Sequence, residues 1–240
     1  VLSVVNVVGS TIATESDDVL YTWAGPEISV ASTKAYSTQL AVIYLLALYI
    51  GEQLGKFTQE QLSAYIAALE KLPEQIDEML KHKENIQFFA SKYFNASDMY
   101  FIGRNVDYAA SLEASLKLKE ISYIHSEAYA AGELKHGPIS LIEDGTLVIA
   151  LATDARLFDK MMSNIKEVKA RGAVVLGVAT EDKKEIAEQT DMVFYIPKTA
   201  SFMLPSLSVI PMQLFAYYVA SMKGCDIDKP RNLAKSVTVE

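Results

Sequence analysis

The sequence has little cysteine and little histidine, which limits covalent cross-links and metal sites. Its 240 residues include one cysteine, Cys225, and three histidines, and these four do not fall at metal-ligand spacing. One cysteine excludes an internal disulfide and favours a reducing, cytoplasmic compartment. Glycine-rich nucleotide loops of the GxGxxG or GxxxxGK type are also missing. The sequence therefore predicts no metal and no cofactor.

Positive charge and long apolar runs are scarce as well. The formal net charge is -8, so the chain offers no basic face for nucleic acid or for an anionic membrane. The longest unbroken apolar run, residues 40–50, is far shorter than the roughly 20 residues of a membrane-spanning helix. We expect neither nucleic acid nor membrane as a partner. Half of the residues are hydrophobic, which indicates a globular protein with a sizeable core.

The second part of the chain alternates short β-branched runs with longer helical patterns. This alternation is typical of an α/β fold with a doubly wound parallel sheet. The predicted strands begin at Met99, Thr146, Ala173 and Met192, and the predicted helices cover residues 108–124, 156–170, 182–189 and 206–223.

The first fifty residues resemble the end of that α/β domain. SVVNVVGSTIATESDDVLYTWAGPE aligns with AVVLGVATEDKKEIAEQTDMVFYIPKT, and a long apolar helix follows each segment. We interpret this as an internal repeat, so that the chain begins within a first α/β domain whose opening strands precede Val1. The alternative is a helical cap on a single domain.

Two helical patterns, at 57–80 and 81–94, link the two units, and Pro73 is expected to end or kink the first. The predicted organisation is therefore a partial domain with linking helices at residues 1–80, a complete domain at 81–226 and a tail at 227–240.

Three charged residues on the first helix of the complete domain share one face. Glu113, Lys117 and Glu120 are four and three residues apart, which places an ammonium between two carboxylates. Spacing alone favours an exposed ion-pair face of a few tenths of a kcal/mol. The helix also follows the strand FIGR, however, and ligands of open α/β sheets bind beyond the carboxyl ends of strands. The first turns of this helix are therefore expected to face a ligand.

Two further segments carry candidate chemistry. His136 stands before Gly137-Pro138, so it lies on a predicted turn, where it either reaches a ligand or another subunit or bonds its own backbone. The tail DKPRNLAKSVTVE ends the chain, and Lys235 within it is either a solvated charge or an amine that forms a Schiff base with a keto sugar.

Three motifs together resemble the glutamine–fructose-6-phosphate aminotransferase (isomerising) family, also called glucosamine-6-phosphate synthase. They are AGPEISVASTKAYSTQL, KLKEISYIHSEAYAAGELKHGP and the tail DKPRNLAKSVTVE, in that order along the chain. The resemblance implies a pair of sugar isomerase (SIS) domains, the first of them partial. It also implies fructose 6-phosphate and glucosamine 6-phosphate as ligands and a homodimer as the assembly.

The resemblance further implies catalytic roles at matching positions. Lys235 forms an imine with the ketose, and Glu120 moves the proton between C1 and C2. Lys117 assists proton transfer at the sugar hydroxyls. His136 opens the sugar ring and reaches the site from a neighbouring subunit.

The same resemblance implies three sugar contacts, at Val30, Ser32 and the main chain of Ala234. Ser29 departs from the family pattern, which usually has glycine there, but this change removes no catalytic group.

The family's phosphate-binding loop, rich in serine and threonine, and its glutaminase domain both belong upstream of this sequence. We therefore expect the 240-residue chain alone to bind fructose 6-phosphate weakly and not to use glutamine.

Other classes remain open. A sugar-phosphate-sensing SIS module of a transcription regulator needs no lysine-containing tail, and an SIS deglycase or amino-sugar isomerase without a glutaminase domain needs no DKPRNLAKSVTVE ending. A structural remnant without activity is the third alternative.

Overall fold

The computed structural model describes residues 1–235, which form two separate parallel sheets; the last five residues of the predicted tail, 236–240, lie outside the described part. The first sheet pairs β1 (Leu2–Val5) with β2 (Asp18–Tyr21), and the short helix α1 (Thr11–Glu15) connects them. The second sheet has the order β4-β3-β5-β6-β7. Its strands are β3 (Asp98–Gly103), β4 (His125–Ala130), β5 (Leu147–Leu151), β6 (Val174–Thr180) and β7 (Met192–Ile196).

The longer helices link the sheets and cover the second one. They are α2 (Lys34–Gln53), α3 (Gln59–Leu80), α4 (Lys83–Tyr93), α5 (Val106–Ser122), α6 (Phe158–Lys169) and α7 (Leu204–Met222). Short 3₁₀ helices lie at Leu134–His136, Pro138–Leu141, Lys184–Glu188 and Ser201–Met203. The predicted α/β fold with a parallel sheet between helices is confirmed.

The second sheet has a hydrophobic core on each face because its side chains alternate. In β3, Met99 and Phe101 join the core that includes Phe89 of α4, Leu118 of α5 and Phe215 of α7. Tyr100 and Ile102 point to the other core, which includes Phe158, Met161 and Ile165 of α6. A sheet buried on both faces explains why its strands read as continuous apolar runs.

The element order at the start of the chain repeats the order at its end. Strand, short helix, parallel strand and long helix follow one another in β1-α1-β2-α2, and the same succession runs from β6 through Lys184–Glu188 and β7 to α7. This architecture agrees with the proposed internal repeat. The domain boundaries at residues 80 and 226 stay a prediction.

Three local predictions differ from the structure. The segment at residues 182–189 contains a five-residue 3₁₀ helix, Lys184–Glu188, in place of an α-helix. Strand β4 was not predicted. Pro73 does not end its helix, since α3 continues through it from Gln59 to Leu80, and the alternative of a kink there stays a prediction. Pro73 is exposed, so the backbone carbonyl that it leaves without a helical partner is near solvent.

One helical segment of the described chain, Ser201–Met222, is long and apolar enough by length and composition to cross a membrane. Most of its apolar window is buried inside the protein, and α7 packs extensively against α4 and α5. Burial in the core therefore accounts for its composition.

Candidate active site

A cleft of about 540 Å³ opens at the carboxyl ends of β1 and β2. Asn6, which follows β1, shapes one wall: its side-chain amide donates to the Gly25 carbonyl, and its Oδ1 accepts hydrogen bonds from Thr22 Oγ and the Ala24 amide. Glu27 and Lys235 form another part of the lining. The volume suits a small organic ligand, and the position is the one where open parallel sheets hold ligands.

Glu27 lies at the centre of this part of the site. Ser32 Oγ donates to Glu27 Oε1 at 3.0 Å, and Lys235 Nζ lies 3.5 Å from Glu27 Oε2. Glu27 also lines an adjoining cleft of about 210 Å³ that runs along residues 26–34. One carboxylate thus joins two residues that the sequence predicts to contact a sugar.

The described part of the tail is held at three points. Near its start, the Val30 amide donates to the Asp228 carbonyl at 2.9 Å. Further on, the Arg231 amide donates to Tyr123 Oη at 2.8 Å, and the Arg231 guanidinium lies 4.2 Å from the centre of the Tyr123 ring. The third contact is the ion pair of Lys235 with Glu27. Ala234 is exposed and precedes Lys235 directly.

The charged face of α5 is buried. Lys117 is 4% exposed, and its Nζ lies 2.5 Å from Glu120 Oε2 and 3.6 Å from Glu113 Oε1. Glu120 Oε2 accepts no hydrogen bond of good geometry within residues 1–235, so its contact with Lys117 is ionic. The interpretation as an exposed ion-pair face is therefore wrong, because α5 lies within the core and turns this face inward.

The buried face is also close to α2. Burial raises the pKa of Tyr36 to about 12, and the nearby charge of Glu113 contributes to the rise. Burial likewise raises the pKa of Glu113, while Lys117 acts in the opposite direction. An ammonium between two partly desolvated carboxylates can exchange protons with a neighbouring group, which is the arrangement expected for acid–base chemistry.

The three charged residues lie beyond the first turns of α5, the part of the helix that the sequence predicts to face a ligand. Lys117 and Glu120 lie in the second half of α5 and Glu113 lies just before its midpoint, and a 17-residue helix is about 25 Å long. Glu120 is therefore near the amino-terminal edge of the second sheet, not at its carboxyl edge. Tyr123 caps α5 in a left-handed conformation, with φ of 61°, and thereby links the Glu120 end of the helix to the tail.

The switch point of the second sheet, between β3 and β5, is filled by its own side chains. Asp107 is buried and accepts hydrogen bonds from the Thr153 amide, the Thr153 hydroxyl and the Asp154 amide. Gly103 permits this turn, since a Cβ there would lie 2.4 Å from the Asp107 backbone. Arg156 and Asn105 in turn bond to Asp154.

His136 lies apart from the other candidates. It ends the 3₁₀ helix Leu134–His136 beyond β4, and the following Gly137 has a φ of 153° that favours glycine. The predicted turn is present, and the imidazole side chain is exposed. Strand β4 lies between the two residues along the chain. Glu120 is therefore near the amino-terminal ends of the strands of this sheet, and His136 is near their carboxyl ends.

The structure thus forms two groups from the predicted residues and leaves one apart. Val30, Ser32 and Lys235 lie around the loop at residues 26–33, and Lys117 and Glu120 lie on α5, where Tyr123 connects them to the tail. Sequence reasoning missed Glu27, Tyr36 and Tyr123. A signal for Glu27 was present, since it is the sole acidic residue of AGPEISVASTKAYSTQL. Within residues 1–235, no cluster of three or more His, Cys, Asp or Glu side chains is placed to hold a metal.

Comparison with protein families gives a match to the SIS domain model over residues 1–49 and 92–223. The chain is 58% identical over 240 residues to a glutamine–fructose-6-phosphate aminotransferase [isomerizing] of Clostridium tetani and 49% identical over 239 residues to one of Methanosarcina acetivorans. Each alignment covers 100% of this chain, but only 40% and 39% of the respective relative.

Solved structures show the same similarity. The C-terminal domain of glucosamine-fructose-6-phosphate aminotransferase from Francisella tularensis superposes with a TM-score of 0.91 at 36% identity, over 95% of this chain and 65% of that one. A glucosamine-6-phosphate deaminase from Thermotoga maritima follows with a TM-score of 0.71 at 25% identity, over 99% of this chain and 66% of that one.

Proposed function

Since the chain belongs to the SIS domain family, we propose that it forms most of the sugar-isomerising site of a glutamine–fructose-6-phosphate aminotransferase. Such an enzyme would convert fructose 6-phosphate and ammonia derived from glutamine to glucosamine 6-phosphate. The chain spans about 40% of the length of the curated relatives it matches, so this activity belongs to a longer protein.

The observation that carries the proposal is the position of Lys235. Its ammonium lies in the wall of a cleft large enough for a hexose phosphate, beside Glu27, which also binds Ser32, and at the carboxyl edge of a parallel sheet. A primary amine in such a cleft can attack the C2 carbonyl of an open-chain ketose and expel water, which yields an imine. The Lys235 side chain is 45% exposed, so a ligand in the cleft can reach it.

Glu120 and Lys117 supply the second step of the proposed chemistry. Once ammonia has replaced the lysine at C2, the isomerisation removes a proton from C1 and delivers one to C2. A carboxylate such as Glu120 can take and return that proton, and the adjacent ammonium of Lys117 can stabilise charge on the sugar oxygens. The burial of the pair supports this assignment, because a partly desolvated site strengthens both interactions.

The position of His136 favours a site shared between two subunits. In one chain it lies at the opposite sheet edge from Glu120, so ring opening by His136 would require a second copy. We therefore infer a homodimer in which each site receives His136 from the partner.

Trapping of the imine tests the proposal. We expect sodium borohydride to fix fructose 6-phosphate covalently on Lys235 when the sugar is supplied at millimolar concentration, with a mass gain of one reduced sugar. Lys235→Met should abolish that gain, and Lys229→Met, which alters an exposed tail lysine, should retain it. Equal labelling of the wild type and Lys235→Met, or no labelling of either, would refute the assignment. A sensing module would bind the sugar without this adduct.

A further inference from the structure

Glu27 has a position that none of the predicted roles explains. Its side chain is 20% exposed and lies between two clefts, with one carboxylate oxygen on Ser32 and the other 3.5 Å from the Lys235 ammonium. No other carboxylate of the described residues forms an ion pair with Lys235.

Contacts with backbone carbonyls join the two segments that carry this acid and this amine. Glu27 belongs to the loop before α2, and Lys235 belongs to the tail. The amide of Val30 binds the Asp228 carbonyl and Ser29 Oγ lies 3.5 Å from the Ile227 carbonyl, so the start of the tail is joined to the loop within three residues of Glu27. Lys34 fixes the other side of the loop, because its ammonium donates to the Pro26 carbonyl at 2.7 Å.

Glu120, the other candidate acid, is paired with a different lysine. Glu120 contacts the buried ammonium of Lys117 on α5, and Glu113 shares that partner. Glu27 is therefore the carboxylate best placed to act on the nitrogen of Lys235.

We propose that Glu27 is the acid–base group of the imine step at Lys235. The carboxylate accepts one proton from the Lys235 ammonium, and the freed amine forms a bond to the carbonyl carbon. A second nitrogen-bound proton moves to the carbonyl oxygen in the carbinolamine. Glu27 then returns its proton to that hydroxyl, the carbon–oxygen bond breaks, and water leaves. The products are a protonated imine, water and the original carboxylate, so atoms and charge balance.

Ser32 keeps the carboxylate directed at this nitrogen. Its hydroxyl occupies one carboxylate oxygen, which leaves the other free for proton transfer. Lys34 lies at the end of the same loop, where its ammonium donates to the Pro26 carbonyl, and as a cation it does not compete with Glu27 for the proton.

This role rests on the proposed function, but it can be tested without the sugar phosphate. Glycolaldehyde with cyanoborohydride reports imine formation at any accessible lysine, and peptide mapping of the full 240-residue chain assigns the rate to each lysine. In the wild type we expect Lys235 to react faster than the exposed Lys229. In Glu27→Gln, which keeps the shape and a hydrogen-bond acceptor for Ser32, we expect the rate at Lys235 to fall about 10-fold or more.

Matched variants separate chemistry from structure. Glu27→Asp retains a carboxylate and should recover part of the rate, whereas Glu52→Gln, an exposed glutamate at the far end of α2, should leave it unchanged. An unchanged rate at Lys235 in Glu27→Gln, or a wild-type Lys235 no faster than Lys229, overturns the role of Glu27. Failure of fructose 6-phosphate trapping with a normal glycolaldehyde result would instead count against the proposed function alone.

Discussion

Among single residues, Lys117 shows that a charge spacing typical of exposed helix faces can belong to a buried face. Its spacing from Glu113 and Glu120 is that of many surface helices, yet all three side chains are largely buried. Desolvated charges of this kind contribute little net stability as a pair, but removal of one partner leaves the others uncompensated.

Lys117→Met removes the cation and keeps a similar volume. Loss of one partner from a buried ion pair costs about 3–5 kcal/mol, and the residual exposure of both glutamates reduces this to about 2–4 kcal/mol here. We expect a loss of that size in the free energy of unfolding at about pH 8, measured by urea denaturation. Lys119→Met, at an exposed position on the same helix, should change it by less than about 0.5 kcal/mol.

The loss in the free energy of unfolding caused by Lys117→Met should be smaller at acid pH. Burial already raises the pKa of Glu113 in the folded state, and loss of the opposing Lys117 raises it further. A group with a raised folded pKa contributes its full stability below its unfolded pKa, and this contribution is lost as the pH rises through the folded pKa. The deficit should therefore be smaller at about pH 5 than at about pH 8. A deficit that does not vary with pH would show that the two carboxylates are solvated.

At the level of elements, the contact between the tail and α5 joins the two halves of the candidate site. Tyr123 ends α5 three residues after Glu120, and it holds Arg231 through its hydroxyl and its ring. A displacement of the tail, which carries Lys235, would therefore act on the carboxyl end of α5, which carries Glu120.

Tyr123→Phe should loosen the tail without unfolding the protein. The ring and its contact with the Arg231 guanidinium remain, but the Arg231 amide loses its acceptor, which is worth about 1 kcal/mol. We expect amide hydrogen exchange at Arg231 to accelerate about 5-fold. Tyr108→Phe, on the first turn of the same helix, should leave that rate unchanged, and an unchanged rate in Tyr123→Phe itself would mean that this hydrogen bond does not hold the tail.

Strand β4 is an element that hydrophobic patterns in the sequence do not predict. Five of its six residues are half-buried or exposed, because it lies at the edge of the described sheet and pairs only with β3 there. Without a buried run or a clear alternation, HSEAYA lacks the hydrophobic signal that identified β3, β5, β6 and β7. The same weakness applies to Lys184–Glu188, where five residues are too few for helical periodicity to distinguish α from 3₁₀ geometry.

For the whole molecule, the wide separation of His136 from Glu120 and Lys117 is the feature that bears on assembly. The two groups lie at opposite ends of β4, a strand of six residues that spans about 20 Å. A site that uses both would have to form between copies of the chain.

Mixed dimers test this arrangement in the full-length protein. His136→Ala and Lys235→Met should each lack synthesis of glucosamine 6-phosphate from fructose 6-phosphate. When the two variants are dissociated and reassembled together, half of the dimers are mixed and each has one intact site, so about one quarter of the wild-type activity should return. If His136 acts within its own chain, the mixture stays inactive.

The amino-acid sequence by itself determined the features that depend on near neighbours. The apolar runs of four strands, the turn at His136-Gly137 and the residue types of the tail were all readable, because periodicity, backbone strain and side-chain chemistry act over a few positions. The same local information indicated the repeat of strand, short helix, strand and long helix.

Only the tertiary structure decided which of these residues meet. In the folded chain Lys117 is buried, the Tyr123 ring contacts the Arg231 guanidinium, and Glu27 of the first unit is paired with Lys235 at the far end of the chain. The same fold separates His136 from Glu120, although the two are close in sequence. Such relations depend on how helices and sheets pack over long stretches of chain, and burial, which sets the strength of every charge interaction, exists only after that packing.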